Sequence, residues 1–140
     1  MKKKIIKVLL VIIWMIIIFC FSNDPAPKSS KLSDGFIKKT ISKVIKDDSK
    51  ETVEKLTKPV RKCAHFFLYF VLGILVFNCY NEKELLYALI ICLLYSISDE
   101  IHQIFIVGRS CELFDIFIDT IGSFFGINIL NIIRKNIKNK

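Results

Sequence analysis

Arg61-Lys62-Cys63-Ala64-His65, followed one turn later by Tyr69, sets a guanidinium, an imidazole and a phenol at i, i+4 and i+8. In a helix those positions share one side. Further along, Ser98-Asp99-Glu100-Ile101-His102-Gln103 stacks Asp99 on Gln103 at i, i+4, and Gly108-Arg109-Ser110 reads as a turn. Glu112, Asp115, Asp119, Gly122 and Gly126 then step by 3, 4, 3 and 4, a single stripe down one helix face. These residue types support two kinds of chemistry. His65 or His102 could exchange protons, with Asp99 or Glu100 orienting the imidazole; these four are the candidate catalytic groups. Arg61, Lys62 and Arg109 suit a phosphate or carboxylate, with Tyr69, Gln103, Asp115 and Asp119 completing a ligand-binding set. His beside carboxylates can also hold a divalent cation, but the spacings match no fixed ligand signature. No metal or cofactor is assigned.

The elements that must carry these residues are apolar. The chain has 140 residues, 53% of them hydrophobic, with 12 Phe, yet a formal charge of +8. Mean hydropathy is +0.48. Such a composition excludes a disordered chain and is unlike a soluble globule, so charge and hydrophobicity must be segregated. Four apolar runs emerge, at about 5–21, 63–80, 85–107 and 113–133. A membrane-crossing helix needs about 17–25 mostly apolar residues, which each run supplies. Lys2, Lys3 and Lys4 before the first run resemble a signal peptide, but no small-x-small cleavage site follows Phe21, and the run reads as an uncleaved anchor. Bulky Phe19 before Cys20 argues against a lipoprotein acceptor.

The fold class expected is all-α, an integral membrane four-helix bundle forming one domain over 1–140. Only helices or closed barrels satisfy their backbone in lipid, and no run has barrel alternation. The second and third runs are joined by Asn81 to Glu84 alone, an antiparallel hairpin, and Pro59 sits where a helix start tolerates it. Residues 22–62 form a polar connection. Within it Leu32, Phe36, Ile37, Ile41, Val44 and Ile45 alternate with lysines, the pattern of an amphipathic helix on a membrane surface or over the bundle. Asp48 and Glu51 could cap a second short helix carrying Val53 and Leu56. The basic residues lack the aromatic interleaving or fold of a nucleic-acid module, and there is no P-loop or HExxH.

With four crossings, the second run begins, the third ends and the fourth begins at the same membrane face. Three segments distant in sequence therefore converge on one polar cluster, whichever way the chain is inserted. The basic residues divide nine to 12, a count that slightly favours the reverse orientation, but lysines tightly flanking the first helix put both termini in the cytoplasm. A charge at mid-span costs about 2.5–3.5 kcal/mol on insertion scales, so such residues are seldom incidental. The bland reading is ion pairs pinning helices together. Against it, Asp99, Glu100, Glu112, Asp115 and Asp119 outnumber Arg61, Lys62 and Arg109. Surplus carboxylates must protonate, take a metal or meet a cationic ligand. Gly122-Ser123-Phe124-Phe125-Gly126 permits close helix contact, Trp14 reads as lipid-facing or packed, and Cys63 and Cys111 share the polar side, where they could pair.

Arg61-Lys62-x-x-His65-Phe66-x-x-Tyr69-x-x-Leu72-Gly73, Ser98-Asp99-Glu100-x-His102-Gln103-x-Phe105, Gly108-Arg109-Ser110 and Asp115-x-x-x-Asp119-Thr120-x-Gly122 together resemble the VanZ-like family. Phe21-Ser22-Asn23-Asp24-Pro25 is similar to the family's Ser-rich motif after its first helix. Asp24 stands where Gln is common, and Val107 replaces a frequent proline. The resemblance implies a small four-helix membrane protein and a link to resistance against teicoplanin, a lipid-tailed glycopeptide; it implies no reaction. Three functions remain open. One is a cell-envelope protein whose extracytoplasmic pocket binds a membrane lipid or lipid-linked envelope precursor through an anionic head group. The second is an intramembrane enzyme using His and carboxylate. The third is a structural or modulatory bundle.

Overall fold

The computed structural model describes residues 2–23, 50–107, 109 and 111–138. The amphipathic segment expected at 32–45, and Asp48, lie outside them. Four helices follow in order: α1 (Lys2–Ser22), α2 (Lys50–Phe77), α3 (Leu85–Gln103) and α4 (Leu113–Lys138). Each contains a stretch long and apolar enough to cross a membrane, so the protein is an all-α, multi-pass membrane bundle.

The helix bounds differ from those of the apolar runs. α1 takes in the N-terminal lysines, and α4 continues to Lys138. α2 begins at Lys50, so Pro59 lies inside the helix rather than starting it, and Val53 and Leu56 belong to the same continuous helix. Proline there withholds an N–H from the turn before it, a break that continuing helix on both sides spans. α3 stops at Gln103, before the apolar run ends, and hydrogen-bonded turns carry the chain on, with the Phe105 N–H donating to the His102 carbonyl at 3.0 Å. Between α2 and α3 a short 3-10 turn, Glu82–Glu84, is held by the Glu84 carboxylate, which accepts the Asn81 backbone N–H at 2.9 Å.

The side-chain distribution reverses that of a soluble protein. Phe67, Leu94, Phe117 and many residues of α1 are exposed, whereas Asp99, Glu100, Asp119 and Ser96 are buried. An apolar exterior around polar helix contacts is what lipid as solvent selects. The apolar core joins Tyr69, Leu72, Val76 and Phe77 of α2 to Ala88 and Cys92 of α3, Ile127 of α4 and Ile18 of α1.

The most extensive contact is between α2 and α4, which run parallel. Glycine makes it possible. A Cβ on Gly122 would lie 2.4 Å from the Phe66 carbonyl oxygen, and one on Gly126 would lie 2.1 Å from that of Phe70. Reciprocally, a Cβ on Gly73 would meet the Ser123 carbonyl oxygen at 2.4 Å. The Ser123 hydroxyl donates to the Tyr69 carbonyl at 3.2 Å across the same seam. α1 leans on α2 and α3 through two side-chain bonds to backbone: Trp14 Nε1 donates to the Leu68 carbonyl at 2.9 Å, and the Tyr95 hydroxyl to that of Met15 at 2.6 Å. Cys63 and Cys111 are both exposed free thiols.

Any side chain at Gly126 must push the two backbones apart. Gly126→Ala should destabilise the bundle by about 1–3 kcal/mol, the usual cost of overpacking. Phe124→Leu, on the exposed face, should stay within about 0.5 kcal/mol. Unfolding in mixed micelles with increasing dodecyl sulfate measures both.

Candidate functional site

At the end of the bundle where α2 and α4 begin and α3 finishes, the buried polar side chains converge. Asp119 anchors the deepest part. The Ser96 hydroxyl donates to its Oδ2 at 2.9 Å, while Oδ1 faces His65 Nδ1 at 3.6 Å, longer than a hydrogen bond. Asp99, one turn beyond Ser96 on α3, accepts the Ser22 hydroxyl of α1 at 2.7 Å. Gln103 donates to Glu100 Oε1 at 3.1 Å and approaches Asp99 Oδ2 at 3.5 Å.

Glu100 is fully buried and its second oxygen accepts the Glu112 backbone N–H at 2.9 Å. That places a carboxylate at the entrance to α4, where the helix dipole and unpaired N–H groups favour negative charge. Lys62 supplies the opposite charge. Its ammonium bonds Glu112 Oε2 at 3.0 Å, forms a second ion pair with Asp115, and sits over the Phe114 ring at 4.8 Å. Arg109 donates to Gln103 Oε1 at 3.3 Å and to the Phe21 carbonyl at 3.4 Å, tying the α3–α4 turn to the end of α1.

Four buried polar atoms in this cluster have no hydrogen-bond partner: His65 Nδ1, Tyr69 Oη, Asp99 Oδ1 and Asp119 Oδ1. They come from three helices, and Tyr69 lies within electrostatic reach of both aspartates. Over nine-tenths of buried polar groups in native proteins are partnered, by protein or by water. Two of the four, His65 Nδ1 and Asp119 Oδ1, face each other as a long ion pair, which leaves spare bonding capacity on Asp99 Oδ1 and on Tyr69 Oη beside Ser96.

A family model described as VanZ/LLP1 matches residues 7–134. The chain belongs to the VanZ/LLP1 family. Neither the curated proteins nor the solved structures contain a match. The matched span reaches into all four membrane helices and takes in every polar group just described.

Within this VanZ/LLP1 bundle, His65, Tyr69, Asp99, Glu100, Gln103, Asp115 and Asp119 are all buried at one end. Lys62 and Arg109 stand beside them with protein partners, and Arg61 is half-buried at the same end of α2. His102 is set apart. Its ring packs on Phe19 of α1 with centroids 4.5 Å apart, and Nε2 lies 3.4 Å from the Asn23 side-chain oxygen. The stripe from Asp115 through Asp119 and Gly122 to Gly126 faces inward, while Glu112 at its head is exposed. Two participants escape a search for ionisable groups: Ser22 and Ser96, each holding one aspartate. Ser96 lies three residues before Asp99 on the same helix face. Among the described residues no group of His, Cys, Asp and Glu is arranged to hold a metal ion.

Removing the Ser96 hydroxyl leaves a buried carboxylate oxygen unsatisfied. Ser96→Ala should cost about 1–3 kcal/mol. Ser98→Ala, on the exposed side of the same helix, should cost less than about 0.5 kcal/mol. Unfolding of the two variants in the same detergent gives the comparison.

Proposed function

We propose that this protein is a cell-envelope membrane protein that binds the head group of a membrane lipid or lipid-linked envelope precursor in the polar cluster. The observation that carries this reading is the spare bonding capacity of the buried Asp99 carboxylate and Tyr69 phenol, which lie beside the His65–Asp119 pair. Carboxylate oxygens of this kind accept from sugar or glycerol hydroxyls, and the phenol can donate to a phosphoryl or carbonyl oxygen. Arg61 and Arg109 at the rim suit the anionic part of such a head group, and the exposed apolar faces of the helices suit its acyl chains. Lys62 acts on the protein itself, neutralising Glu112 and Asp115 and so keeping the entrance to α4 folded.

The cluster is assigned to the extracytoplasmic face and both termini to the cytoplasm, on the strength of the lysines flanking α1. Altered susceptibility to a glycopeptide such as teicoplanin then follows from changed surface lipid or wall precursor, without contact with the drug.

One observation favours catalysis as a second reading. Asp119 is braced by Ser96 on one oxygen and faces His65 Nδ1 with the other. A carboxylate so placed orients an imidazole for proton exchange at its other ring nitrogen, which would make His65 a general base and Asp119 its positioning residue.

Single substitutions His65→Asn, Asp99→Asn, Arg109→Gln and Asp115→Asn distinguish the readings. Membrane abundance, envelope lipid composition and teicoplanin susceptibility are measured for each. We expect abundance to hold while lipid composition changes. A product lost only in His65→Asn would favour the enzyme. Loss of abundance in all four, with lipid composition merely following it, would leave helix pairing as the residues' whole role. For orientation, a chain carrying Cys20→Ala, Cys79→Ala and Cys92→Ala retains Cys63 and Cys111. An impermeant thiol reagent should label it in intact cells; labelling only after permeabilisation would reverse the assigned sides.

A further inference from the structure

The opposite end of the bundle is basic, and we propose that it forms a second site, which takes the phosphate of an anionic membrane lipid. A cavity of about 510 Å³ opens there, lined by Lys7 of α1, by Asn78, Asn81 and Glu82 of the α2–α3 connection, and by Arg134 and Lys138 of α4. That volume lies within the range of small-ligand sites. It is a helix length away from the acidic cluster and shares no residue with it.

The cations are held in place by the end of α2. Lys7 Nζ donates to the Asn78 carbonyl at 2.7 Å. Arg134 donates to the Tyr80 carbonyl at 3.0 Å and the Asn78 side-chain oxygen at 2.9 Å, with its guanidinium over the Phe77 ring at 4.9 Å. Arg134 also donates to the Phe77 carbonyl at 3.4 Å, capping the last residue of α2, while the other contacts hold the chain just beyond it. The one carboxylate lining the cavity, Glu82, is engaged by Lys138 at 2.6 Å and lies within electrostatic reach of Arg134. A single carboxylate thus faces Lys7, Arg134 and Lys138, and positive charge is in excess along the lining.

Each cation also keeps donors beyond the bonds it makes. An ammonium has three N–H groups and a guanidinium five, so a phosphate can be shared between them without breaking these contacts. Asn81 and Lys138 lie at the rim to complete the contact. A lipid is the phosphate source that fits the surroundings. Exposed Ile5, Ile6 and Leu9 on α1 and Ile137 on α4 flank the cavity's residues in sequence and offer acyl chains an apolar surface. Basic pockets between membrane helices are suited to anionic head groups.

The test uses the full chain purified in nonionic detergent. Its thermal unfolding is followed while phosphatidylglycerol, phosphatidylcholine or inorganic phosphate is added. Phosphatidylglycerol should raise the midpoint saturably, phosphatidylcholine should not, and inorganic phosphate should act only at far higher concentration. Lys7→Gln keeps a donor for the Asn78 carbonyl but loses the charge, and should weaken the phosphatidylglycerol response about fivefold. Lys138→Gln, on an exposed side chain, gives a second reading in the same direction should Lys7→Gln fold poorly. Equal responses to the two lipids, or phosphatidylglycerol responses unchanged in the variants that fold, would overturn the proposal. A response to inorganic phosphate matching that to phosphatidylglycerol would overturn the lipid as its source.

Discussion

Everything at the polar end depends on how closely two backbones approach. Gly122 and Gly126 of α4 lie against the carbonyls of Phe66 and Phe70 on α2, at a separation no Cβ would permit. Gly73 returns the contact from the other side. Lipid offers little hydrophobic drive for helix association, so van der Waals packing of this kind is a main source of adhesion. It also sets register. Asp119 lies one turn before Gly122 and His65 one residue before Phe66, so the glycine contact delivers the carboxylate to the imidazole. One further turn along, the same alignment delivers Asp115 to Lys62.

Given that register, the burial of several carboxylates becomes physically tolerable, because each receives a different compensation. Glu100 accepts two N–H donors and sits at the positive end of α4. Asp115 has an ammonium, and Asp99 and Asp119 each have a serine hydroxyl. What is left over is specific: one oxygen of Asp99 and the Tyr69 phenol, beside a long His65–Asp119 pair. The other end of the bundle shows the opposite sign, with lysine and arginine resting on carbonyls at the end of α2. Among the described residues, charge is thus divided between an acidic end and a basic end.

Much of this was legible from spacing. The four runs give the helices, and the 3, 4, 3, 4 steps from Glu112 to Gly126 give the buried face of α4. Alternating crossing direction brings Arg61, Asp99 and Asp115 to one end without any coordinates. Other features were not legible, for identifiable reasons. Serines carry no charge and are common in membrane helices, so Ser22 and Ser96 reveal their roles only when a carboxylate is seen beside them. Pro59 looks like a helix start because local chemistry favours that position, yet here helix continues on both sides. His102 belongs to the same motif as Asp99, but it meets Phe19 and Asn23 at the end of α1 and not the buried carboxylates, a difference that the shared spacing does not report. The contacts formed by Lys7 and Arg134 join residues far apart in sequence, and no local pattern reports them.

The account's central claim is that the inner aspartates serve a bound head group and not merely helix adhesion. Native mass spectrometry of the protein extracted from its own membrane tests this most directly, comparing the wild type with Asp99→Asn/Asp119→Asn. The wild-type chain should retain a phosphate- or sugar-bearing lipid that the doubly neutralised chain has lost, while helical content by circular dichroism is unchanged. Retention of the same lipid by the folded double variant would contradict it.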